Sequence, residues 1–142
     1  MKRHIWMLPV KAILGAFVLL AASLGHAQYE NPSVVKVNIP FAFHVGTQTL
    51  PAGEYSLKSV EQNIVALRDQ NGHTLANVIA NTVEGNASAS SKVVFHNYNG
   101  EYFLAQVWSA GLSSGLEVAK SHQEIEMAKN SSAGEQSVMA HR

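Results

Sequence analysis

Two strand-like runs, "KVVFHNY" (Lys92 to Tyr98) and "EYFLAQVW" (Glu101 to Trp108), are separated only by Asn99 and Gly100. A two-residue type I′ turn needs positive φ at both central positions, and Asn-Gly meets that need at the lowest steric cost. The turn also sets the register. Tyr98 falls opposite Glu101, Asn97 opposite Tyr102, His96 opposite Phe103, Phe95 opposite Leu104 and Val94 opposite Ala105. Val93, Phe95, Leu104 and Trp108 then share one face, and Val94, Phe103, Ala105 and Val107 the other. A hairpin that is apolar on both faces belongs inside a sheet covered on both sides. The cluster "HNYNGEYF" could be taken for a binding or catalytic site, but it reads first as turn chemistry and packed rings.

The remaining chain carries the same signature. "VVKVNI" (Val34 to Ile39) alternates and is rich in β-branched residues. Pro40 ends or bends it or places it at an edge. "FAFHV" (Phe41 to Val45) puts Phe41, Phe43 and Val45 on one side. In "LPAGEY", Pro51 suits the second position of a type I turn, and Gly53 the left-handed position of a three-residue hairpin. "EYSLKSV" and "NIVALRD" are further strands, and Asn71-Gly72 marks another hairpin. His73 to Val83 fits both a helical face and a strand; its β-branched content and the preceding turn favour a strand. Glu84 to Ser91 is a small, polar loop. After "SAGLSSG" and a short "LEVAK", Ser121 and Glu124 form a capping box that opens a helix from about His122 to Lys129. Ile125 and Ala128 offer that helix a small apolar contact. Residues 130–142 read as a disordered tail. The expected fold is all-β, an antiparallel sandwich or small barrel of about seven to eight strands with a short C-terminal helix.

The first residues read as an address. Lys2, Arg3 and Lys11 precede an uncharged apolar run from Ala12 to Leu24, and small residues follow at Gly25 and Ala27. This is the order of a secretory signal peptide cleaved after Ala27. The run is shorter than the roughly 20 residues a bilayer core requires, so an uncleaved anchor is the weaker reading. Residues 28–129 would then form one domain. Loss of the signal leaves seven basic against ten acidic residues, with no basic footprint for nucleic acid. The absence of cysteine excludes disulfides, thiolate metal sites and cysteine nucleophiles. A domain of this size can bury one core without such staples.

Several constellations carry chemistry on paper. Gly111-Leu112-Ser113-Ser114-Gly115 spells the G-x-S-x-G of a nucleophile elbow. That elbow needs a parallel sheet with repeated helices and later acid and histidine partners. Here the sheet is antiparallel, Asp69 lies upstream, and only His122 and His141 follow. A flexible Ser/Gly loop is the simpler reading. His44, His73, His96 and His122 show no close metal-ligand spacing, and His96 reads as a hydrogen-bonded core or half-core residue. Tyr55, Tyr98, Tyr102 and Trp108 could offer ring faces to a sugar or peptide, but packing is the default role. Glu54, Glu61 and Glu101 sit near turns as solubilising charges. The Asn-x-Ser sites at Asn86 and Asn130 matter only where exported proteins are glycosylated.

The stretches "VNIPFAFHVGTQTLPAGEYSL" and "VVFHNYNGEYFLAQVW", with a short acidic helical end, resemble a family of small exported bacterial proteins. The likeness runs from Val37 to Lys129. It implies export and a single domain, and brings no activity or functional residue with it. The function expected from the sequence is a non-enzymatic envelope or extracellular module, periplasmic or secreted, that binds a protein or glycan partner without a cofactor. The alternatives are an exported hydrolase using the Gly111 to Gly115 loop and a structural or assembly protein using exposed strand edges.

Overall fold

A computed structural model describes residues 34–141. The signal segment expected at 1–27 and the leader after it lie outside the described residues. The protein is all-β with one short helix. In chain order the elements are β1 (Val34–Ile39), β2 (Phe43–Val45), β3 (Gln48–Leu50), β4 (Gly53–Glu61), β5 (Ile64–Asp69), β6 (Thr74–Glu84), β7 (Lys92–Tyr98), β8 (Glu101–Trp108), β9 (Ser114–Val118), α1 (His122–Asn130) and β10 (Gly134–Met139). Among the described residues no helix is long and apolar enough to cross a membrane.

The strands form one hydrogen-bonded path, β1-β4-β5-β6-β9-β8-β2-β3, while β7 pairs β8 and β10 pairs β7. Pairing is antiparallel apart from one parallel pair, His44 with Phe103, where β2 meets β8. The long strand β6 joins the two arms of the sheet. Ile79 and the residues before it pair with β5, and Ala80 to Glu84 pair with β9. The arms face each other over one core. Val35, Val37, Leu57, Val65 and Leu67 come from one arm, and Phe43, Val93, Phe95, Leu104 and Val107 from the other. The sheet does not close. Its ends, β1 and the residues after β10, meet through a single bridge in which the His141 N–H donates to the Lys36 carbonyl at 2.9 Å.

The Asn99-Gly100 turn forms as its chemistry demands, with φ of 53° and 92°, and the Asn97 side chain accepts from the Gly100 N–H at 2.8 Å. The first four residue pairs from the turn are those expected, down to Phe95 with Leu104. Beyond them a β-bulge intervenes, and Val94 pairs with Gln106 rather than Ala105. One extra residue on a strand reverses the facing of everything after it. Val107 therefore joins the core, and Trp108 moves to the outer face beside Lys92, its cross-strand partner.

Three other expectations are corrected. Gly53 does not close a hairpin: it opens β4, which pairs β1 and β5, whereas Gly46 takes the positive φ, 59°, that turns β2 into β3. The stretch read as a disordered tail, 130–142, contains a paired strand: Gly134 to Met139 pair with Asn97 to Lys92 of β7. Most side chains there are solvent-exposed, with only Val138 and Ala140 packed on the core, so the strand is held chiefly by its backbone and carries no hydrophobic pattern. Finally, α1 does not dock through Ile125 and Ala128, which are exposed; its one buried residue is Glu124. The ambiguous run after His73 is a strand, as its β-branched content favours.

Candidate functional site on the outer face of the hairpin

The bulge gives β7 and β8 an outer face with two different ends. At the turn end, Tyr98 and Phe103 are buried and meet edge to face at 5.8 Å. Helix α1 covers this end. Ser121 caps it by accepting from the Glu124 N–H at 3.2 Å, but the Glu124 carboxylate does not reach back to complete the capping box. It accepts instead from His96 Nδ1 at 2.6 Å and from the Tyr98 hydroxyl at 3.3 Å. Burial pushes the Tyr98 phenol above its ordinary range, and the charge of Glu124 acts in the same direction, with Lys120 partly opposing both. Glu124 thus holds α1 to the sheet by a polar latch.

Beside this lies a second imidazole. His44 stacks on Phe103 at 4.5 Å, with Nε2 2.6 Å from Glu101 and Nδ1 2.9 Å from the Thr49 hydroxyl. An ionised carboxylate only accepts, so Nε2 donates to Glu101, and the Thr49 hydroxyl, which can donate or accept, bonds the other ring nitrogen. This chain ties β2 and β3 to β8, where the backbone supplies one residue pair. Glu101 is therefore a partner of His44 and not only a solubilising charge. The four histidines do not converge. His73 bonds Asp69 at 3.1 Å in the β5–β6 turn, and exposed His122 opens α1. No group of three metal-ligating side chains forms among the described residues. In the same turn burial acts to raise the Asp69 carboxyl, but hydrogen bonds from His73 and Asn71 carry it below its ordinary value.

At the far end Trp108 lies across the backbone of β9. A Cβ on Gly115 would fall 2.6 Å from the indole, and one on Gly85 2.5 Å from it, so both positions must be glycine for the ring to lie flat. Trp108 Nε1 donates to Gln106 at 2.9 Å, and Gln106 reaches Glu117 at 3.5 Å, which fixes the ring's orientation. The Lys92 ammonium stands over the ring, 5.9 Å from its centroid. A recess of about 270 Å³ opens here, lined by Glu84, Asn86, Ser88, Lys92, Trp108 and Leu112 among others. The side chains of Glu84 and Asn86 have no hydrogen-bond partner among the described residues. Replacing Gly115 with alanine is expected to lift the indole off the sheet. Tryptophan emission should shift to the red, and stability should fall by about 1–3 kcal/mol in urea unfolding.

The serine motif takes its place in this architecture. Gly111 has a φ of 80° and makes the turn into β9, Gly115 lies under the indole, and the Ser113 carbonyl accepts from Gly85 N at 2.7 Å. Tyr55 packs on Phe43 and donates to the Pro51 carbonyl at 2.7 Å, and Tyr102 stacks on Phe41 at 3.9 Å, so both rings are committed to packing. A larger recess, about 310 Å³, is lined by Lys36, Glu54, Asp69 and His141. Its Asp69 is already bonded within the turn, and its one aromatic residue, Tyr55, is held by packing on Phe43 and by its bond to Pro51, so it offers no open ring face like that of Trp108. Glu61 is exposed at the end of β4, Asn86 is exposed at the rim of the Trp108 recess, and Asn130 is exposed at the end of α1.

The sequence reading missed Glu124 as the helix anchor, having assigned it to the capping box, and missed Lys92 because the bulge brings it beside Trp108. Searches of protein-family models, curated proteins and solved structures return no match to this chain.

Proposed function

We propose that the chain is an exported, non-enzymatic module of the bacterial envelope or extracellular space that binds a ligand on the outer face of β8 and β9. The observation that carries this reading is the Trp108 indole, laid over two glycines, oriented by Gln106 and bordered by the polar side chains of Glu84 and Asn86. A fixed aromatic surface with a few convergent polar groups is what small-ligand recognition requires. The signal-like order of residues 1–27 supports export. The hydrolase alternative loses support because each glycine of its motif has a structural duty, and the Ser113 hydroxyl has no histidine partner among the described residues.

Two measurements test the reading. Ser113→Ala is expected to leave any ester or glycoside hydrolysis by the protein unchanged; loss of turnover with an intact circular dichroism spectrum would restore the enzyme. With indole-¹⁵N-labelled protein, the Trp108 signal should shift on adding soluble cell-wall fragments or peptides, and a signal indifferent to every probe would remove the binding reading.

A further inference from the structure

We infer that the Trp108 recess is a saccharide site that takes a neutral pyranose unit, an assignment that rests on the binding reading above. A pyranose presents a face of C–H groups and a rim of hydroxyls. The C–H face can cover an indole without burying an unpaired polar group, while the hydroxyls need both donors and acceptors nearby. The recess supplies this pairing. The ring lies close over the backbone at Gly115 and Gly85, which leave room for it, and its Nε1 is bonded to Gln106 before any ligand arrives. Over the ring reaches an ammonium that only donates, Lys92, whose flexible stem must swing to the hydroxyl rim when a sugar covers the indole; beside it stand a carboxylate that accepts, Glu84, and an amide that does both, Asn86. Leu112, 41% exposed, adds an apolar shoulder.

The charges narrow the choice further. Lys92 and Glu84 share one rim, so a polyanion meets Glu84 and a polycation meets Lys92. A neutral hydroxyl array uses both. At about 270 Å³ the recess lies below the roughly 300–1,000 Å³ of clefts for drug-sized ligands, so it fits one sugar ring of a chain. Binding of one ring is expected to be weak, about millimolar.

The test uses the full chain labelled at its indole nitrogens, with Trp6→Phe to leave a single signal. The probes are cellotetraose and chitotetraose as neutral saccharides, polygalacturonate as an acidic one, and a proline-rich peptide. A neutral tetrasaccharide should give a saturable shift at Trp108. Trp108→Ala and Gly115→Ala should abolish binding followed by calorimetry, and Lys92→Ala and Glu84→Gln should each weaken it by about fivefold or more. Gly115→Ala keeps the indole but moves it, so it separates loss of the platform from loss of the fold. A response to polygalacturonate alone would overturn the assignment to a neutral sugar, a response to the peptide alone would overturn the saccharide assignment, and either would leave the binding reading standing. Silence toward all four probes would overturn both, and saccharide binding that survives Trp108→Ala would overturn the site.

Discussion

Ending the chain after Asn130 is expected to lower stability by about 3–5 kcal/mol in urea unfolding. The truncation removes β10 and leaves the edge of β7 without its six paired residues, Lys92 to Asn97. Each lost backbone hydrogen bond is worth about 0.5–1.5 kcal/mol net, and the ordering entropy of the tail offsets part of the sum. The truncation also uncovers Val138 and Ala140 contacts on the core and breaks the His141–Lys36 bridge that spans the open side of the sheet. A bare edge beside Phe95 is a template for strand addition, so light scattering should show association absent from the full chain. An unchanged urea midpoint is what a solvated tail would give, and it would contradict the pairing.

The second large effect is expected at Glu124. Its side chain is 4% exposed and meets His96 at 2.6 Å. Alanine there leaves a half-buried imidazole N–H and the buried Tyr98 hydroxyl without an acceptor, at up to about 1–3 kcal/mol for each buried unsatisfied group. A helix of nine residues has little stability of its own, and with Ile125 45% exposed it has little apolar contact to hold it. Glu124→Ala should therefore cost about 2–4 kcal/mol and reduce the helical circular dichroism signal. Glu124→Gln keeps one acceptor and should recover part of that loss, while Ile125→Ala should stay within about 0.5 kcal/mol of the parent. A Glu124→Ala protein as stable as the parent would show that α1 is held by something else.

These two sites mark where the sequence stopped being legible. The Asn99-Gly100 turn was readable because its φ requirement admits few residue types. The core strands were readable because burial imposes alternation, as in Val35, Val37 and Ile39. The bulge after Leu104 was not, since "LAQ" contains no glycine or other local mark. Everything it moves was misplaced with it, including the Lys92–Trp108 neighbourhood on which the candidate site depends. β10 was illegible because its hydrogen bonds come from backbone, which every residue carries. Glu124 was visible as a capping residue, but its true partners lie 26 and 28 positions away on β7, and local spacing contains no information about them. The glycine pair beneath Trp108 was hidden behind a familiar motif: Gly115 looked like the end of a serine elbow, and its duty appears only when β8 and β9 are set side by side.

The central claim is that the chain from Val34 to His141 forms one sheet, with its last strand laid along β7 and its outer hairpin face held in register. Amide hydrogen exchange of the full protein tests this most directly. Alternate amides between Gly134 and Met139 should exchange slowly, within about tenfold of those in Val93 to Asn97, because the two strands open together. Exchange of residues 134–139 at the rate of an unstructured peptide, with β7 still protected by β8, would contradict it.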